Sequence, residues 1–270
     1  MASHPAPLSI VLVISKLKSH FAPVLLIGAA SLLLSGCVYL RLLEVKKQLS
    51  HFDDNFAIPT TEDLTLKCLH PLLQAEDLRW LGAVPKTVVP RDGGEDWVVR
   101  WVKETAPGIQ EALTYDMVLK VRFVGGRVVE ATIPKRHLAY VSKELLVNML
   151  RSTGTAKVNR NERQADAQTE APVATSLPNL TAIKAMMGEP TSTQTTPERI
   201  VNFYRYSPDS LNTTAKSIEA SFAFDSATGE LRKFTVRLPR GTLSYDFKTA
   251  ASATKSMADD ATAQPARSGP

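Results

Sequence analysis

The sequence predicts an α+β protein of two tandem two-layer units, each with one or two short helices packed on a three- to four-stranded antiparallel sheet, preceded by an amphipathic helix. Three observations carry this expectation. Apolar residues alternate with polar ones in several stretches, the period of a half-buried strand. Helical segments stop at a glycine with a proline shortly after. An internal likeness recurs at a spacing of 105 residues, linking Arg100-Trp101 with Arg205-Tyr206, Ile133-Pro134 with Leu238-Pro239, Leu138 with Leu243 and Tyr140 with Tyr245.

In chain order, residues 1–36 come first. They hold no Asp or Glu and only Lys16 and Lys18, so the rest of the chain carries 30 basic against 27 acidic residues, interspersed. That balance lacks the clustered basic face of a nucleic-acid partner. The basic patch, the uncharged run from Phe21 and the small residues before Cys37 have the anatomy of a signal peptide. Leu34-Ser35-Gly36-Cys37 matches the lipobox of bacterial lipoprotein signals: an aliphatic residue, two small ones at the cut, and a thiol that takes a diacylglyceryl group. Cleavage between Gly36 and Cys37 would leave an acylated Cys37, of the palmitate-bearing kind, holding the chain to membrane lipid, since several acyl chains anchor stably where one does not. The competing reading is a signal anchor, because the 20 uncharged residues from Phe21 to Leu40 can cross a bilayer. Val38 rather than Asp follows the cysteine, which by Gram-negative sorting rules implies the outer membrane and its periplasmic face. The alternative is an inner-membrane protein with a periplasmic domain. Cys68 has no partner left and reads as a buried thiol on a helix face.

Residues 37–56 carry Leu42, Val45, Leu49, Phe52 and Phe56 at spacings of three and four, an apolar helical seam for its own domain or a partner helix. Residues 57–150 form the first unit. Thr60 can cap a helix starting at Thr61, and Ala75 to Leu81 reads as a second helix closed by Gly82. Strand alternation follows in Leu119, Val121 and Phe123, then in Val129, Ala131 and Ile133, around a Gly125-Gly126 turn. Residues 151–175 contain no aromatic residue and few large aliphatics, so they read as a flexible linker. The second unit, 176–249, begins with a helix from Leu180 to Met187 capped by Asn179 and ended by Gly188. Ile218, Ala220, Phe222 and Phe224 and then Phe234, Val236 and Leu238 supply its strands. Residues 250–270, rich in Ala, Thr and Ser, read as a disordered tail.

The second unit resembles the BamE-like (SmpA/OmlA) lipoprotein domain in Met186-Met187-Gly188-Glu189-Pro190-Thr191, Phe203-Tyr204-Arg205-Tyr206, Ala220 to Asp225 and Gly229-Glu230-Leu231; the first resembles it more loosely. Tandem copies are also similar to the β-lactamase inhibitor protein. The resemblance implies a small two-layer module in the cell envelope, and a link to outer-membrane protein assembly. It implies protein partners rather than turnover.

No catalytic constellation stands out. His51 with Asp53 and Asp54 reads as a solvated helix end, His70 and His137 are isolated, and there is no nucleophile elbow, phosphate loop or Cys-x-x-Cys pair. The expectation is a chain that is not an enzyme and needs no metal or cofactor. Trp97, Val99 and Trp101 share one strand face and Tyr204 and Tyr206 the corresponding one, as core or as an aromatic strip for a partner. Arg100, Arg205, Lys120 and Arg122 fall on the opposite face, the candidate partner-binding face. The functional expectation is a non-catalytic scaffold binding an envelope protein, with an inhibitor or sensor of a periplasmic enzyme as the alternative.

Overall fold

In the computed structural model, residues 38–111, 115–139, 141–170, 177–210 and 215–248 are described. The signal peptide, Gly36, Cys37 and the expected tail lie outside them. The chain divides into two compact units, Met1–Arg41 and Leu42–Pro270, and only the first residues of one helix represent the former. That helix is α1 (Val38–Ser50), followed by α2 (Phe52–Asn55), β1 (Phe56–Ala57), β2 (Leu64–Cys68) and α3 (Ala75–Leu81). Next come β3 (Pro85–Arg91), β4 (Gly94–Lys103), β5 (Met117–Val124), β6 (Arg127–Ile133), a 3-10 helix (Lys135–Ala139) and α4 (Lys143–Thr155). The remainder is β7 (Lys157–Asn159), β8 (Gln164–Glu170), α5 (Leu180–Met187), β9 (Ser192–Thr195), β10 (Arg199–Pro208), β11 (Ile218–Asp225), β12 (Leu231–Leu238) and β13 (Gly241–Lys248).

The expectation of two tandem two-layer units is overturned: the described strands form one mixed 13-stranded sheet, ordered β1-β2-β6-β5-β4-β10-β11-β12-β13-β8-β7, with β3 beside β4 and β9 beside β10. The fusion happens where β4 meets β10. Their N-terminal halves pair with β3 and β9, and their C-terminal halves pair with each other, Trp101 opposite Pro208, Val102 opposite Ser207 and Lys103 opposite Tyr206. Strand edges left open would present unpaired N–H and C=O groups, which pairing across this seam satisfies. The register respects the internal spacing: adding 105 to Trp101, Val102 and Lys103 gives Tyr206, Ser207 and Pro208, so the seam maps onto itself when the repeats are exchanged. Two flanking backbone bonds do the same, from Glu104 N to Arg205 O at 2.8 Å and from Asp209 N to Arg100 O at 2.9 Å. The sequence repeat therefore encodes a repeated strand pattern inside one sheet.

Three other differences follow from backbone pairing that side-chain patterns do not reveal. The stretch 151–175 contains the end of α4 and the β7–β8 hairpin rather than a linker, and its last residues, 171–175, lie outside the described residues. Strand β8 runs parallel to β13, and small residues suffice because main-chain bonds hold it while Ala167 and Thr169 are fully buried. No helix starts at Thr61; β2 takes that part of the chain and pairs with β6, filling the edge that β13 fills beside β12. A 3-10 helix (Lys135–Ala139) follows β6. Cys68 consequently sits on a strand, where burial pushes its thiol up to about 11 from 9.0. Alkylation of Cys68 by iodoacetamide at pH 8 is therefore expected to run about 100-fold slower in the native chain than in urea, since the thiolate is the nucleophile. Equal rates would show that Cys68 is not sequestered.

The helices α3 and α5 form where the caps predict. Gln74 and Asp77 make a reciprocal capping box on α3, and the Asn179 side chain accepts from Ala182 N at 2.9 Å on α5. Gly82 ends α3 at a φ of 97°, the left-handed region where glycine is strain-free. One core packs α3 through Leu78 on Trp97, Val99, Val121 and Phe123. A larger one packs Leu145 and Met149 of α4 and Ile183 and Met187 of α5 on Tyr204, Tyr206, Phe222, Phe224 and Phe247. The seam of α1 and α2 settles on its own chain, with Leu49, Phe52 and Phe56 against Leu66, Val147 and Leu150. Gly154 permits this approach, because a Cβ there would stand 2.2 Å from Ser50 N.

Candidate functional site

An apolar concave feature lies between the sheet and the helices α4 and α5. Its floor is Trp101 of β4, Met117 and Leu119 of β5, Tyr206 of β10 and Phe222 of β11; its walls include Leu145, Met149, Ile183 and Met186. Strand alternation sends these side chains to one face, and the helical spacing of Ile183, Met186 and Met187 aims α5 at them. The cavity measures about 330 Å³ and is lined almost wholly by hydrocarbon. The recess is partly open rather than sealed, and water entering it finds almost no polar partner.

Four of the lining residues carry polar groups, Trp101, Tyr115, His137 and Tyr206. Tyr206 is 0% exposed, and among the described residues its hydroxyl has no hydrogen-bond partner; the buried Nε1–H of Trp101 has none either. Neighbouring groups of the same types are satisfied. The Trp97 Nε1–H donates to Glu95 Oε1 at 2.8 Å, the Tyr204 hydroxyl donates to Gly188 O at 3.3 Å, and the Tyr245 hydroxyl pairs with Thr153 Oγ1 at 2.9 Å. Each unmatched group costs about 1–3 kcal/mol. Burial pushes the Tyr206 hydroxyl's pKa up, reinforced by Tyr204, Glu111 and Asp116, so it stays protonated and able to donate. His137, also in the lining, is held neutral first by burial and then by Arg136, whose Nε donates to its Nε2 at 3.3 Å.

The candidate partner-binding residues lie on the opposite face of the sheet, and Arg100 and Arg205 are not free cations there. Arg100 donates through Nε to Asp116 Oδ2 at 2.7 Å, with a second bond from Nη2, and through Nη1 to Asp209 at 3.1 Å. Asp116 first, and Asp209 with it, holds the guanidinium's pKa above its ordinary value. Arg205 lies 4.0 Å from Glu104 and 3.7 Å from Glu219. Arg100 to Asp209 and Arg205 to Glu104 are the same cross-seam pair at the 105-residue spacing. Lys120 and Arg122 are exposed on β5, and neither makes an ion pair among the described residues. Cys37 and Gly36 lie outside the described residues.

Other polar candidates are structural. His51 ends α1, with Nδ1 beside Ser50 Oγ and Lys47 O, and Asp53 pairs with Arg151 at 2.6 Å. Among the described residues no group of His, Cys, Asp and Glu is arranged to hold a metal, and no helix is long and apolar enough to cross a membrane. Sequence reasoning placed Trp101 and Tyr206 on the inner face but did not single them out as a pair. The available signal was their equivalence at the repeat spacing, both aromatic and both bearing a donor. Comparison with protein-family models, curated proteins and solved structures gives no match for this chain.

Proposed function

We propose that this protein is an outer-membrane-anchored periplasmic lipoprotein that works by binding rather than by catalysis, with the cavity under α4 and α5 receiving an apolar ligand. The observation that carries the binding role is the volume of about 330 Å³ lined by hydrocarbon, within the usual range for small-molecule sites of about 300–1,000 Å³. The anchor rests on Leu34-Ser35-Gly36-Cys37 behind an acid-free leader. Binding through the arginine face has weaker support, because Arg100 and Arg205 already face internal carboxylates.

Titration of the purified chain with the apolar dye 1-N-phenylnaphthylamine is expected to give a saturable rise in fluorescence. Ala220→Leu, which adds bulk to the cavity lining, should abolish that rise while keeping a cooperative unfolding transition. A wild-type chain that gives no saturable signal would sink the cavity reading. The anchor is tested separately: Cys37→Ala should end fatty-acid labelling in cells, and an unlabelled, uncleaved wild-type chain would point to the signal anchor instead.

A further inference from the structure

Resting on that cavity reading, we infer that the recess takes one extended, unbranched hydrocarbon chain lying across the strands, with whatever head the chain carries left in solvent. The lining side chains of the sheet come from β6, β5, β4, β10, β11, β12 and β13, which are seven consecutive neighbours, running from Ile133 on β6 to Phe247 on β13. The register joins them into one row, with Trp101 opposite Met117, Tyr206 opposite Ile218 and Ala220 opposite Val236. That row crosses the seam where β4 pairs with β10.

The spacing of the strands sets the shape. Six steps of about 4.8 Å put the two ends of the row about 29 Å apart along the sheet. A round chamber of about 330 Å³ would be only about 9 Å across, two such steps, too short to draw its lining from seven strands. A long, narrow recess fits an extended chain better than a compact ligand. Its walls suit the same occupant: Met117, Met149, Met186 and Met187, every methionine among the described residues, line it, and unbranched thioethers repack readily around a flexible chain. The lining offers almost no polar surface to a head group, and the recess is partly open, so a head can stay in water and avoid the cost of desolvation.

Displacement of 1-N-phenylnaphthylamine by a set of alcohols and decyl compounds tests this. From hexanol to octanol to decanol the wild-type chain should bind about fourfold more tightly per added methylene. Decanol, decanoate and decyltrimethylammonium should fall within about threefold of one another, because their heads remain solvated. 1-Adamantanemethanol, a compact alcohol of similar carbon count, should bind at least about tenfold more weakly than decanol. Ile133→Trp adds bulk at one end of the row, where the native side chain is only partly buried. It should leave hexanol binding unchanged and remove most of the advantage of decanol. If the dye binds but the compact alcohol competes as well as decanol, the recess is a chamber and the inference falls while the cavity reading stands. A strong preference for one head overturns the solvent-borne head, and an undiminished decanol advantage in Ile133→Trp puts the chain off this row. No dye binding removes both readings.

Discussion

Trp97→Ala is expected to lower the unfolding free energy by about 4 kcal/mol, the middle of the range for a buried large aromatic cut to alanine. Trp97 is 0% exposed and its ring centroid lies 4.6 Å from that of Phe123 at a tilt of 49°. The Arg79 guanidinium of α3 stands 4.6 Å from the same ring, and Nε1 donates to Glu95. The substitution therefore removes packing, a cation–π contact and a hydrogen bond together, and leaves a hole walled by Val99, Val121 and Leu78 on rigid elements. In urea titration the midpoint should fall with little change in slope. Trp101→Ala is the informative control. Trp101 borders a volume that is already open, so truncating it creates less new cavity and should cost clearly less than Trp97→Ala. Equal losses would show that the region under α4 and α5 is packed solid, against the ligand-binding role proposed for it.

That contrast between two tryptophans on one strand face marks what the sequence could and could not reveal. Period-two alternation located β4, β5 and β10 to β12, and the 105-residue spacing aligns β4 with β10. Caps and glycine stops located α3 and α5 because those signals are local. The seam is not local. Backbone pairing of β4 with β10 defines it, and side-chain type alone does not show which strand lies beside which. Strand β8 escaped notice for a related reason: Ala165, Ala167 and Thr169 look too small to drive folding, yet they need only fit beside β13 once main-chain bonds hold it. The inner faces of Trp101 and Tyr206 were legible from alternation. Their lack of partners was not, because residue type predicts burial and says nothing about the space left over. The arginines show the converse. Arg100 and Arg205 were legible as facing away from the core, but Asp209 and Glu104, the carboxylates that pair with them, stand at the same repeat spacing and become their partners only when the two strand ends meet.

Asp116→Ala should cost about 3 kcal/mol, more than any other single change on the outer face. Its carboxylate is 4% exposed, accepts twice from Arg100 and once from Lys103 N at 3.3 Å, and so fixes the guanidinium that spans the seam to Asp209. Breaking a buried ion pair by removing one partner typically costs about 3–5 kcal/mol. The low end applies because the Arg100 side chain is 34% exposed and water can take over part of its solvation. The penalty belongs largely to the partner left behind, so Asp116→Ala combined with Arg100→Met should recover to within about 1 kcal/mol of wild type; because Arg100→Met alone leaves the buried Asp116 unpaired and also costs stability, the double-mutant cycle should give a coupling larger than about 2 kcal/mol. Arg205→Met, at the equivalent position, should cost under about 1 kcal/mol, since Arg205 is 54% exposed and its carboxylates lie 3.7 and 4.0 Å away. Additive losses for Asp116 and Arg100 would mean that the pair does not act as a unit. The seam is symmetric in backbone register but not in energy, because Arg100 of the first repeat has the buried carboxylate of Asp116, whereas Arg205 of the second has only Glu219, 21% exposed, and Glu104, both at longer distance.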